Sequence, residues 1–307
     1  MGSGSSKPSD SDPSKPLSEL NNLPGNPAGP YTPDLSSGGS RKSFIVGINY
    51  TGTKNQLSGC INDANLVKSY IESLGFTTAY FMNEFQGGAN YATKANILSN
   101  LTSFVNSLNS GDVGYIHYSG HGSLINDANG DEISGKDSVI VPFDYGASGY
   151  ITDDVIRSIL SQTKSGVNIF CVFDSCNSGS VCDFKYNLFD TSYRSDPSIK
   201  SKVFDYNDWV FRQEVIVNNK YNDTNANMIS LSGCKDNQFS YEIIYNGEYH
   251  GALTISLLSI LKHFQPTIKI PYLIQDIRGV LNGLQTPSLM TSNDFETDIK
   301  LTDFLKI

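Results

Sequence analysis

The chain has 307 residues, room for one or two domains around a sizeable core. Its 22 Lys and Arg against 31 Asp and Glu give a net charge of −9, the wrong sign for a phosphate-binding surface, which argues against nucleic acid and for a cationic peptide or a metal ion. No apolar run approaches the ~20 residues of a membrane span, and "MGSGSSKPSD" at the N-terminus has no apolar core to direct secretion. With an odd number of cysteines, five, the expectation is a reduced, cytoplasmic protein, in which the sequons at Asn49, Asn100 and Asn222 carry no sugar.

Residues 1–41 are rich in Ser, Pro, Gly and Asn without hydrophobic period, so burial cannot repay their ordering entropy and a flexible extension is expected. Tyr31 is its apolar anchor and a candidate plug for a cleft. From Ser43 the pattern alternates. "SFIVGIN" (43–49) reads as a strand, and Leu66, Val67, Tyr70, Ile71 and Leu74 follow at helical spacing, closed by Gly75. A second helix carries Ile97, Leu98, Leu101, Phe104, Val105 and Leu108 on one face, before the strand "VGYIHYS" (113–119). "TDDVIRSIL" (152–160) has Thr152 as N-cap, and "VNIFCVF" (167–173) is the next strand. Residues 180–227 break the rhythm and read as a long exposed connection, inside which "DWVFRQEVIV" can add a strand or hairpin. The alternation resumes with "NMISLSG" (227–233) and helices in "GALTISLLSILKHF" (251–264) and "PYLIQDIRGVLNGL" (271–284). Strands apolar on both faces, alternating with helices, predict an α/β fold: a mainly parallel central sheet flanked by helices on both faces, with ligands beyond the strands' carboxyl ends.

Two central strands, "VGYIHYSGHGS" and "VNIFCVFDSCNSGS", end alike, in Gly and Ser around one reactive side chain. The sheet argument puts His121 and Cys176 at the same edge. A thiol is mostly protonated at neutral pH and needs a base or cation beside it, which an imidazole can be; together they make a minimal acyl-transfer pair. Gly120, Gly122 and Gly179 let a substrate backbone approach, and backbone N–H groups here, Gly122 among them, are candidates for an oxyanion hole. A lone strand-end Cys is ordinarily a small buried hydrophobe, which is the reading for Cys171, Cys182 and Cys234; His117 reads as a packed histidine. "GDEISGKD" falls one residue short of a P-loop, "NDANGDE" lacks the Gly and Glu of an EF-hand loop, and no zinc spacing is present.

"YSGHGS", then "DSCNSGS" about 55 residues later, with "GCINDAN" before both, resembles the caspase-like cysteine peptidases and specifically the type I metacaspases. The resemblance covers about residues 42–307. It implies the caspase-haemoglobinase fold, with a larger part at about 42–180, a connection at about 180–226 and a smaller part at about 227–307. It also implies His121 as general base and Cys176 as nucleophile, and it matches Asp63, Ser119 and Asp174 to an acidic S1 pocket that prefers Arg or Lys. A buried carboxylate pair is expected to need a cation beside it. Asp137, Asp153, Asp154 and Asp183 match the family's calcium positions, making Ca²⁺ the implied cofactor; their residues alone suggest solvated turn acids and helix-start acids. The resemblance further implies a monomer that acts on basic peptides and cuts itself after one of Lys185, Arg194, Lys200, Lys202, Arg212 or Lys220. Asn177 departs from the family, which usually has His there. The alternative is a catalytically silent module that binds partners through an acidic cleft.

Overall fold

The computed structural model describes residues 29, 31–36, 38–127, 135–176, 181–182, 184–190, 199–206, 209–217, 224–234, 240–293 and 299–307. In chain order the elements are β1 (Arg41–Gly47), α1 (Cys60–Ser73), β2 (Thr77–Met82), α2 (Lys94–Asn106), β3 (Val113–Ser119), β4 (Gly122–Asn126), β5 (Lys136–Ile140), α3 (Tyr145–Ser148), β6 (Ile151–Thr152), α4 (Asp153–Leu160) and β7 (Asn168–Asp174). There follow β8 (Tyr186–Asp190), β9 (Ile199–Tyr206), β10 (Trp209–Val217), β11 (Asn227–Ser232), β12 (Glu242–Tyr245), β13 (Glu248–Gly251), α5 (Ala252–Phe264), α6 (Ile270–Leu281), β14 (Ser288–Thr291) and α7 (Leu301–Leu305).

The main sheet runs β2-β1-β3-β7-β11-β14-β8-β10-β9. Its first five strands are parallel and the rest antiparallel. Every residue of β3 and β7 is buried, as a strand covered on both faces must be. One face packs Val67 and Ile71 of α1, Leu253 and Leu257 of α5 and Ile274 and Ile277 of α6 against Tyr115, Phe170 and Val172. The other packs Ile97, Leu101 and Phe104 of α2 and Ile156 and Leu160 of α4 against Ile116, Cys171 and Phe173. Thr152 caps α4, its hydroxyl accepting from Val155 N at 3.4 Å, and Gly75 takes φ +85° where α1 ends.

Three expectations change. Residues 186–217 contribute three paired strands: β10 falls on the stretch read as a strand or hairpin, while β8 and β9 stand where an exposed connection was expected. Before α4 the chain adds a small antiparallel sheet, β4-β5-β6, with no counterpart in the sequence reading. Tyr31 does not plug the active edge: its hydroxyl donates to Ile307 O at 2.9 Å, and the nearby Arg41 guanidinium binds Lys306 O, at the N-terminal end of β1. Among the described residues no helix is long and apolar enough to cross a membrane.

His117 lies in register with Ile45 and Val172, fully buried, with neither ring nitrogen hydrogen-bonded. Burial pushes its pKa down to about 3, against ~6.5 in the unfolded chain. Between those values the unfolded state binds a proton the folded state refuses, so stability is lost as pH falls, by about 1.4 kcal/mol per pH unit. Replacing His117 with Leu should flatten this acid limb when Tm is followed against pH; an unchanged slope would place the titration elsewhere.

Candidate active site

The register of β3 on β7 builds the site. Tyr118 pairs with Phe173 and Ser119 with Asp174, so both strands end level, and Gly120 N continues the ladder to Asp174 O at 3.3 Å. His121 and Cys176 follow immediately, on neighbouring strand ends.

The backbone of His121 is fixed on three sides: its N–H donates to Tyr50 Oη (3.0 Å), and its carbonyl accepts from Tyr118 Oη (2.7 Å) and Val141 N (3.1 Å). The Tyr50 ring lies against the imidazole, centroids 4.7 Å apart. Nε2 sits 2.6 Å from Asn55 O. A carbonyl can only accept, so Nε2 carries the proton and Nδ1 keeps a lone pair, the tautomer a base requires. Asn55 is held in turn, its amide donating to Tyr145 Oη at 2.8 Å, while the Glu84 carboxylate gathers the loop through Asn49 N, Thr51 N and Thr51 Oγ1.

Cys176 is half-buried, and the Ser240 N–H donates to its Sγ at 3.3 Å. Burial pushes the thiol pKa up and the nearby Asp174 carboxylate adds to this, while the Ser240 N–H opposes both. Among the described residues no hydrogen bond joins the His121 ring to Sγ. Gly122 abuts Cys176: a Cβ there would collide with the Cys176 carbonyl and stand 3.2 Å from Ser175 Cβ.

Beneath this pair Asp63 and Asp174 are buried together, 0% and 4% exposed. Asp63 Oδ2 accepts from Ser119 Oγ (2.8 Å) and Gly251 N (2.9 Å), and Oδ1 lies 3.0 Å from His250 Nδ1. Asp174 accepts from Ser240 Oγ (2.7 Å), Thr254 N (2.8 Å) and Thr254 Oγ1 (2.7 Å). Burial pushes Asp63 up to about 7, with Asp174 also raising it and the His250 and Gly251 contacts holding it down; burial likewise raises Asp174. Six internal donors satisfy the pair, the His250 imidazole among them. His250, Ser240 and Thr254 were not picked out from the sequence, although Asn246-Gly247 between two short apolar runs is the hairpin signal that places His250.

Asp137, on β5, meets Asp153 and Asp154, on the first turn of α4, with carboxylate oxygens all within 4.8 Å of one another. Asp137 and Asp153 are 3% and 2% exposed, and Asp153 Oδ2 accepts from Ser138 N at 2.6 Å. Three clustered hard oxygen donors fit a calcium ion. Asp183 lies outside the described residues, as do Asn177 and Gly179.

A family model described as metacaspase, peptidase C14 domain, matches residues 41–185. A Metacaspase-1 of Ajellomyces capsulatus is 30% identical over 293 residues, covering 85% of this chain and 82% of its own. The chain belongs to the metacaspases. A Kluyveromyces lactis Metacaspase-1 is 29% identical over 299 residues, covering 85% of this chain and 68% of its own. In fold, the crystallised GSU0716 protein of Geobacter sulfurreducens superposes with a TM-score of 0.57 at 21% identity, over 84% of this chain and 95% of that one. As a metacaspase with a C14 domain, the protein is a cysteine peptidase, a hydrolase, on a caspase-like α/β fold.

Gly122→Ala places a methyl group against the Cys176 carbonyl. It should abolish peptidase activity while lowering stability by about 1–3 kcal/mol, as overpacking does, measurable as full loss of turnover in a folded protein. Activity near wild type would mean this contact is slack.

Proposed function

We propose that this metacaspase is a calcium-dependent endopeptidase that cuts after Arg or Lys, with Cys176 as nucleophile and His121 as general base. The observation that carries the reading is the level ending of β3 and β7, which sets His121 and Cys176 above the buried Asp63 and Asp174. A substrate Arg or Lys enters beside these carboxylates and Ser119, and its carbonyl carbon lies against Sγ. His121 Nδ1 takes the thiol proton as the C–S bond forms. The carbonyl π electrons move to oxygen, which the Gly122 N–H steadies. Collapse breaks the C–N bond, and His121 returns its proton to the leaving amine. Water, deprotonated by His121, then hydrolyses the thioester and frees the thiol.

Calcium would be held by Asp137, Asp153 and Asp154, with Asp183, and would neutralise their mutual repulsion where β5 meets α4. The β8 strand pairs along the outer edge of β14, so β14 itself is not free to pair with a second copy. The five cysteines are free thiols, and Asn49 and Asn100 spend their amides on Ser58 O and Ala89 O, which supports a cytoplasmic, unglycosylated protein acting on basic proteins.

Self-processing follows from the same preference. Lys200, Lys202 and Arg212 lie in paired strands, whose backbone is committed and resists a protease; Lys185 directly precedes β8. The cut is expected after one of Lys185, Arg194, Lys200, Lys202, Arg212 or Lys220, least readily at the three strand positions, giving calcium-induced fragments whose new N-terminus N-terminal sequencing reads. A Cys176→Ala protein should stay whole; fragmentation of that variant would assign the cut to another agent.

Matched fluorogenic peptides ending in Arg, Lys or Asp, with calcium or chelator, test the main claim. Arg and Lys peptides should be cut only with calcium, falling roughly 10⁴-fold in Cys176→Ala. Cleavage after Asp would overturn the pocket assignment.

A further inference from the structure

The acidic pocket contains an imidazole that the proposed reaction leaves idle. His250 is 5% exposed at the end of β13, its Nδ1 3.0 Å from Asp63 Oδ1 and its Nε2 3.9 Å from Glu248 Oε2. The hairpin that carries it is pinned to the start of α1. The Glu242 carboxylate accepts from Ser58 N at 2.9 Å and Gly59 N at 2.5 Å, and Asn62 Nδ2 donates to Tyr249 O at 3.0 Å. Gly59 meets the hairpin so closely that a Cβ there would lie 2.8 Å from His250 Cα. Asn246 and Gly247, both at positive φ, 51° and 86°, make the tight turn.

Asp63, Glu248 and the Tyr245 ring lie against this imidazole, and Asp63 in turn neighbours Asp174 and the buried thiol of Cys60, on which Glu242 also acts. Of these groups and the ring itself, only His250 can carry positive charge. We propose that His250 is a positioning residue of the acidic pocket: by donating to Asp63 it keeps that group a carboxylate, and so sets the lowest pH at which the pocket accepts a cationic side chain. The proposal rests on reading Asp63 and Asp174 as the cation-binding pocket.

The sign follows from the opposing influences on Asp63. Burial and Asp174 favour the neutral acid, and the His250 contact is the foremost of those opposing them. Without the imidazole, Asp63 takes up a proton at higher pH, and a neutral acid no longer attracts Arg or Lys.

The test compares kcat/KM across about pH 5.5–8.5 for peptides ending in Arg and in citrulline, its uncharged isostere, using the full chain with calcium. In wild type Arg should be preferred, and the preference should fade as pH falls. In His250→Ala the loss should move to higher pH, costing the Arg peptide about tenfold at about pH 6.5, the equivalent of one pH unit, with the citrulline peptide unmoved. His250→Phe repeats this with the ring volume kept, should the Ala variant fail to fold. His250→Asn, whose amide can donate to the same oxygen, should restore most of the wild-type limb, which a merely space-filling role would not. If wild type does not distinguish Arg from citrulline, the pocket reading fails. If it does, and the acid limbs of the Ala and Phe variants coincide with wild type, the role of His250 is overturned.

Discussion

The pairing of β3 with β7, residue for residue from Val113–Asn168 to Ser119–Asp174, is the constraint on which everything else depends. It is held by the backbone hydrogen-bond ladder and by burial on both faces, and a slip of one residue would move every side chain to the opposite face of the sheet. Because the register is fixed, two loops begin at the same height, and the residues just beyond them meet without a long reach. The imidazole then needs only Tyr50 and Asn55 to orient it, and the thiol only the Ser240 N–H beside it.

The price of that arrangement is paid in electrostatics. Ser119 and Asp174, the last residues of the two strands, are buried with Asp63, so two carboxylates lie where water cannot screen them. The chain answers with donors from residues 240–254: Ser240, His250, Gly251 and Thr254. The late segment thus completes a buried polar cluster begun by the early one, and the β12–β13 hairpin is tied to the start of α1 through Glu242 and Asn62. A cut in the intervening connection would leave those contacts intact, since they do not pass through it.

The sequence made the apolar framework legible. Strands such as "VGYIHYS" and "VNIFCVF" are apolar on both faces, and α2 repeats its apolar residues at helical spacing, so element type and parallel order follow from pattern alone. The strand-end positions of His121 and Cys176 followed from that order. Local pattern could not reveal His250, which meets Asp63 187 positions away, or Ser240 and Thr254, whose hydroxyls matter only because Asp174 is buried beside them. Of the strands between 186 and 217, β10 was legible in "DWVFRQEVIV", whereas β8 and β9 were hidden for a different reason: antiparallel strands toward a sheet edge need no continuous apolar run. Tyr31 misled because an aromatic in a polar stretch marks an anchor without saying where it anchors.

The central claim is that His121 and Cys176 act as one unit at this sheet edge. The most direct measurement treats the protein, with calcium, with a peptidyl-arginine acyloxymethyl ketone and maps the adduct by peptide mass spectrometry, in wild type and in His121→Ala. A single adduct on Cys176, forming about 100-fold more slowly or worse without the imidazole, is the predicted result. An adduct on Cys60 or Cys234, or a Cys176 rate indifferent to His121, would contradict the account.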